Sequence, residues 1–424
     1  MPQDLLIENL AEVATPLGSS PRVGRHQGQI HRIAQGEILC REGRLLFVGS
    51  RDERLRRFGE IPEAQRLDAS GLTAIPGLVD CHTHLPWAGS REAEFARRLE
   101  GATYEEIAAA GGGILSTVSA TREASEDELM QNTLLRLDRM LARGSTTVEA
   151  KSGYGLSLEA ELKQLRALRR AAEQHPARVV PTLMAAHEFP PEHRDDRDRW
   201  VQIICQEITP AVAEAGLAEF CDVFCEQGVF TVDQARDVLQ AGTEVGLTPR
   251  LHADEFVDSG GAFLAAEIGA ATADHLVAVS NRGIEAMAKK GVAAVMLPGV
   301  AFFLRKEELA PARRFIAGGA PVVLASDCNP GSSHTESLWM IFWLGIFRMQ
   351  LSVAEALTAV TLNPACALGR GEEVGSLEEG KHADIVLVDA ANVDQLAYHF
   401  GVNPVHTVIA GGEVVHRRGA ERRP

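Results

Sequence analysis

Residues 74–84 read AIPGLVDCHTH, an apolar run that breaks into the polar pattern Asp80-Cys81-His82-Thr83-His84. Such a run suits a buried β-strand whose end presents two histidines. On an extended chain, side chains two positions apart share a face. Both imidazoles can therefore reach a single ion. The meaning of this pair depends on what the rest of the chain builds around it.

Seven further runs of the same kind follow: STTVEAKS, RVVPTLMAAH, EFCDVFCE, LTPRLHADE, ATADHL, GVAAVMLPG and APVVLASD. Amphipathic helical patterns lie between most of them. The stretch from Glu126 to Arg143 opens with Ser125 and Glu128 at capping-box spacing and closes before Gly144. Strand alternating with helix implies a parallel sheet, and eight such units imply closure. The expected fold is an α/β protein with a (β/α)8 TIM-type barrel over residues 75–368. The ends have a different texture, short strands broken by turns, as in the hairpin candidate EILCREGRLLFVGS and in NPVHTVIAGGEVVHRRG. Residues 1–74 and 369–424 are expected to form one small β-sandwich domain from both termini.

In a closed barrel all strand ends open onto one face, so polar residues there converge. His82 and His84 end the first predicted strand, His252 the fifth, His275 the sixth and Asp327 the eighth. Three histidines, a carboxylate and one open position suit Zn²⁺ or Fe²⁺ with a bound water. Glu255, three residues after His252, is placed to move protons of a ligand beside the metal. Arg91 offers a fork for a carboxylate, the competing reading being an ordinary surface ion pair. Tyr154 lies in SGYG after the second strand, and His187 closes the third. The stretch CNPGSS after Asp327 has the turn residues of a binding loop.

Other signals point elsewhere. Lys151 raises a carbamylated lysine bridging two metals, but two-metal sites of this fold usually take that lysine from the fourth strand, which here ends in Cys225-Glu226; one metal is expected. Cys221 and Cys225 read as small apolar residues of a buried strand. AGGGI, at 110–114, lacks a following GK[ST] and is expected to be a flexible segment near the barrel mouth. His26, His31, His175, His193, His382, His399, His406 and His416 read as solvated. The formal charge of −16 argues against nucleic acid and anionic membranes as partners. Seven scattered cysteines argue against a disulfide framework. Without a signal peptide or a membrane-spanning run, a cytoplasmic location is expected.

D-x-H-T-H at 80–84, His-x-Asp-Glu at 252–255, D-x-N-P-G-S-S at 327–333 and the closing GSLEEGKHADIVLVD resemble the amidohydrolase superfamily. Longer stretches, among them VEAKSGYGL, FCDVFCEQGVF, LPGVAFFLR and YHFGVN, are similar to the imidazolonepropionase family within it, from about residue 70 to the end. The resemblance implies hydrolysis of 4-imidazolone-5-propanoate to N-formimidoyl-L-glutamate in histidine degradation, by a homodimer acting on a small molecule that carries a carboxylate. It assigns His82, His84, His252 and Asp327 to one divalent metal, and Arg91, Tyr154, His187, Glu255, Asn329, Gly331 and Ser332 to the substrate. Glu255, His275 and Asp327 are the expected catalytic groups. Cys328 and His334 depart from the family pattern, and His334 stands near the expected mouth of the site. The alternatives are a deaminase of the same superfamily, acting on a cyclic amidine or nucleobase, and a barrel scaffold without activity.

Overall fold

A computed structural model describes residues 4–101, 106 and 112–419. Its centre is an eight-stranded sheet in which the strands follow one another in chain order. They are Leu78–Asp80, Ser145–Lys151, Arg178–Ala186, Phe220–Cys225, Thr248–Ala253, Thr272–His275, Ala293–Met296 and Val322–Leu324. Each neighbouring pair is parallel. First and last strands meet just beyond their ends, through a parallel bridge between Thr83 and Cys328. There Asp327 N–H donates to the His82 carbonyl and His84 N–H to the Cys328 carbonyl, both at 3.0 Å. The TIM-type barrel expected from the eight apolar runs is present.

One run divides differently from its reading. AIPGLVD is not a single strand: Thr73–Pro76 belongs to a terminal sheet, and only Leu78–Asp80 belongs to the barrel. Gly77 is the joint. Its N–H donates to Asp384 in the terminal layer, and the next N–H, of Leu78, donates to Gly144 at the barrel base, each at 2.9 Å. The chain changes partners within one residue, and a Cβ at Gly77 would collide with the Thr146 side chain. Helix Glu126–Leu141 carries the expected capping box, and Gly144 turns the chain after it with a φ of +94°.

The termini build two sheets. A four-stranded one orders Arg44–Ser50, Gly36–Arg41, Leu5–Glu8 and Gln65–Asp68. The hairpin expected in EILCREGRLLFVGS is its first pair, turning through Glu42 and Gly43, both at positive φ. A six-stranded sheet combines Glu12–Thr15, His31–Ala34 and Thr73–Pro76 with Ile385–Val388, Val405–Ala410 and Glu413–Arg417. Ile385–Val388 lies antiparallel to Thr73–Pro76, so strands from opposite ends of the chain are direct neighbours. All four residues of that strand are buried, because both faces are covered. Ile385 and Leu387 pack into the cluster between the two terminal sheets, Val386 and Val388 into the cluster continuous with the barrel.

Gly77→Ala is expected to overpack the joint at a cost of about 1–3 kcal/mol. The thermal unfolding midpoint should fall by several degrees, and Thr146→Ala added to it should restore much of the loss. A single variant as stable as the parent would show that the joint has room.

Candidate metal centre

The barrel interior explains why the histidines point where they do. Alternate residues of each strand face inward, and five of them are charged and fully buried: Glu149, Lys151, Asp222, Arg250 and Asp274. Lys151 Nζ lies 2.7 Å from Glu149 and 2.9 Å from Asp222, and Arg250 lies 3.2 Å from Asp274 while donating to the Cys81 carbonyl at 2.6 Å. Burial works to raise the Glu149, Asp222 and Asp274 carboxyls, but Lys151 and Arg250 outweigh it and hold all three below the ordinary carboxylate range. Lys151, weighed in the sequence as a carbamylated bridge, is thus a buried ammonium between two carboxylates.

On top of this layer sit the histidines. His82 Nδ1 is 2.6 Å from Asp274 and His252 Nδ1 is 3.0 Å from Asp222. A carboxylate on Nδ1 fixes the proton there and frees Nε2 to ligate. Asp327 Oδ1 lies 3.5 Å from His82 Nε2 and 3.3 Å from His84 Nε2. Candidate ligand atoms of His82, His84 and His252 lie within 4.8 Å of one another, and so do those of His82, His275 and Asp327. His82 Nε2 and Asp327 Oδ1 are buried without hydrogen-bond partners. Burial and Lys151 act to lower the His82 ring, but Asp274 and Asp327 raise it to about 9; a divalent cation between these two orphaned atoms would take the place of that proton and satisfy both. Burial keeps the His84 ring neutral, lowering it to about 4, and depresses His252, His187 and His275 as well. Neutral imidazole is the ligating form. His275 and Asp327 adopt left-handed backbone, with φ of +72° and +50°, which swings them inward from the strand ends.

His84, His252, His275 and Asp327 line a cavity of about 610 Å³. Arg91, Tyr154, His187, Glu255, Asn329, Gly331 and Ser332 all line it. Tyr154 is held by the helix that follows its loop: Glu161 accepts the N–H groups of Gly153, Gly155 and Leu156, and Gln164 accepts that of Tyr154. The His187 ring stacks on His84 with centroids 5.0 Å apart. Asn329 Oδ1 accepts the N–H groups of Gly331 and Ser332, both at 2.8 Å, which gives the CNPGSS loop its turn. Glu255 lies 3.6 Å from His275 Nδ1, and burial, with Asp327 adding to it, pushes its carboxyl up to about 8. Arg91 lines the cavity and pairs with Glu94, but with side chains only 12% and 11% exposed this is not the surface ion pair weighed in the sequence.

Sequence reasoning passed over Glu94, Asp222, Asp274 and Arg250. Single acidic or basic residues inside apolar strands carry no spacing signal, although a charge at an inward position of a barrel strand was the available cue. His175 corrects an expectation: its side chain is only 5% exposed, beside Asp138, rather than solvated. Cys328 is buried, its backbone serving the barrel closure, and exposed His334 rests against Trp87; neither lines the cavity. Of AGGGI, residues 110 and 111 lie outside the described ones, Gly113 precedes helix Ile114–Glu123, and Ile114 reaches the cavity. All seven cysteines are free. No helix among the described residues is long and apolar enough to cross a membrane.

Residues 73–415 match the model of the amidohydrolase family. The chain is 52% identical to an imidazolonepropionase of Geobacillus sp. (strain WCH70), with 98% of each chain covered. It is 48% identical to an imidazolonepropionase of Symbiobacterium thermophilum, over 100% of this chain and 99% of that one. Among solved structures, an adenosine deaminase from Xanthomonas campestris with bound zinc superposes with a TM-score of 0.72 at 19% identity, covering 97% of this chain and 93% of that one. E. coli guanine deaminase gives 0.70 at 14%, covering 98% and 100%. At such identities the likeness is one of fold.

Asp274→Asn removes the anion that fixes the His82 tautomer. Metal affinity, measured by competition with a chromophoric chelator, is expected to fall by about 10–100-fold. Unchanged affinity would mean that His82 needs no such partner.

Proposed function

The chain belongs to the amidohydrolase family, within its imidazolonepropionases, and from that membership we propose that it opens the ring of 4-imidazolone-5-propanoate by hydrolysis at a single divalent metal. The observation that carries this reading is the polarity of the cavity. Four imidazoles and Asp327 line it together with Arg91, whose guanidinium stands against Gly331. A small ring bearing a carboxylate fits such a site with its carbonyl toward the histidines.

His82, His84, His252 and Asp327 would hold the ion, and their nitrogen and carboxylate donors suit Zn²⁺ and Fe²⁺ alike. When bound, it supplies a polarised carbonyl and a more acidic water. Arg91 binds the propanoate and fixes the ring, converting an encounter into an oriented complex. Tyr154 and His187 wall the ring on one side. Asp327 accepts the proton of the attacking water, and neutral His275 donates a hydrogen bond to the carbonyl oxygen as charge builds on it. Glu255, raised by burial, carries a proton at neutral pH. It delivers that proton to the ring nitrogen as the lactam C–N bond breaks, leaving a carboxylate and the formimidoyl amine.

Wild-type protein is expected to convert 4-imidazolone-5-propanoate to N-formimidoyl-L-glutamate without releasing ammonia. Ammonia would instead identify a deaminase of the same family. Stripping the metal with a chelator should abolish turnover, and Zn²⁺ or Fe²⁺ should restore it; activity in verified metal-free protein would overturn the proposal. Glu255→Gln should lower kcat by about 10²–10⁴-fold with metal content intact. As a donor Glu255 must keep its proton, so kcat should fall as pH rises through a value at or below about 8, neutralisation of Asp327 by the cation acting to lower it.

A further inference from the structure

The cavity carries a second guanidinium, that of Arg98, to which the ring-opening chemistry assigns no role. Arg91 commits two of its N–H groups to Glu94, from Nε at 2.9 Å and Nη2 at 2.6 Å. Glu94 is held in turn by the N–H of Gly113 at 2.9 Å. The Arg91–Glu94 pair is neutral as a unit, so an anion docking on Arg91 also approaches a fixed carboxylate. Arg98 stands two helical turns along the same segment, lining the same cavity. Its Nη2 donates to the Gly331 carbonyl at 3.2 Å, while Arg91 Nη1 fills the space that a Cβ on Gly331 would need. Both arginines therefore converge on one glycine of the loop that carries Asp327 and Asn329.

Two features of Arg98 point to a ligand. Its Nε is buried with no hydrogen-bond partner, a cost that persists unless something accepts that bond. Among the described residues no carboxylate forms an ion pair with it. Its flat face rests over the rings of Phe95 and Phe303, at 5.7 and 5.5 Å from their centroids, which holds the fork in one plane. Arg91, Glu94 and Arg98 together carry one net positive charge beside Gly331, and the substrate class brings one carboxylate.

We propose that Arg98 is a second carboxylate-recognising residue, meeting the propanoate beside Arg91 while Glu94 positions Arg91. The inference rests on the reading of the site as one for a ring that carries a carboxylate. It makes Arg98 a determinant of specificity: neutral analogues gain nothing from it, and acidic ones do.

The test compares metal-loaded wild type and Arg98→Gln on 4-imidazolone-5-propanoate and on its methyl ester, which keeps the ring and loses the charge. For the acid, KM should rise by about tenfold or more with kcat little changed, whereas kcat/KM for the ester should match wild type. An equal loss on both substrates would make Arg98 a mere support of the Gly331 loop, and no loss on either would remove it; each result overturns the proposal. Should Arg98→Gln fail to fold, Arg98→Lys keeps charge and stem but not the planar fork. It should still raise KM for the acid alone, and an unchanged KM would be as damaging. If wild type does not hydrolyse the acid, the ring-opening reading falls by itself. Calorimetric binding of glutarate then decides on Arg98: weaker binding by the variant than by wild type supports the inference, and equal binding overturns it.

Discussion

Beneath the histidines, three carboxylates and two cations are fully buried in the barrel interior, and the site stands on their mutual compensation, which leaves one negative charge in excess. Glu149, Asp222 and Asp274 would be costly to ionise there alone, and Lys151 and Arg250 would be equally costly. Such a network contributes little net stability compared with aliphatic packing of the same volume. Removing one member is another matter, because it strands a buried charge at a cost of about 3–5 kcal/mol. The network is better understood through what it aims. Asp222 and Asp274 each take one histidine by Nδ1, and Glu149 accepts the N–H of Thr83 between the two histidines of the first strand. Ionic pairing deep in the barrel thus becomes orientation at its mouth.

Closure of the barrel serves the same end. The first and eighth strands are joined by hydrogen bonds of His82, His84, Asp327 and Cys328 themselves. Three of the four residues expected to hold the ion, His82, His84 and Asp327, are therefore also the seam of the sheet, which leaves them little freedom to drift apart. The left-handed backbone of Asp327 and His275 is tolerated because the seam and the neighbouring strands determine it from both sides. Beside Gly331 the constraint is steric: a Cβ there would collide with the Arg91 guanidinium and require it to shift. One cavity therefore gathers the imidazoles, Asp327 and Arg91 around a common space.

Much of this was legible in one dimension. Eight apolar runs separated by amphipathic stretches announced the barrel, because burial on both faces and helical amphipathicity leave distinct periodic traces. The histidines and Asp327 stood out because they end those runs. The division of AIPGLVD at Gly77 was not legible, since an apolar run looks the same whether one sheet or two receive it. His175 misled for a related reason: a polar residue in a connecting segment gives no sign that its ring is covered. Glu94 lies one helical turn from Arg91, a spacing as common on solvated helices as in binding sites.

The sequence by itself determined the strand and helix alternation, the chemical identity of the site residues and the family to which they belong, all properties of local pattern and motif. Only the tertiary structure decided which carboxylate serves which histidine, how Arg91 is held and shares the cavity with Arg98, and how strands from opposite ends of the chain pair as neighbours. Apart from the Arg91–Glu94 pair, three residues apart, these are contacts across tens to hundreds of residues. They are set by the closure of the barrel and by the need to neutralise buried charge, and neither leaves a periodic signal along the chain.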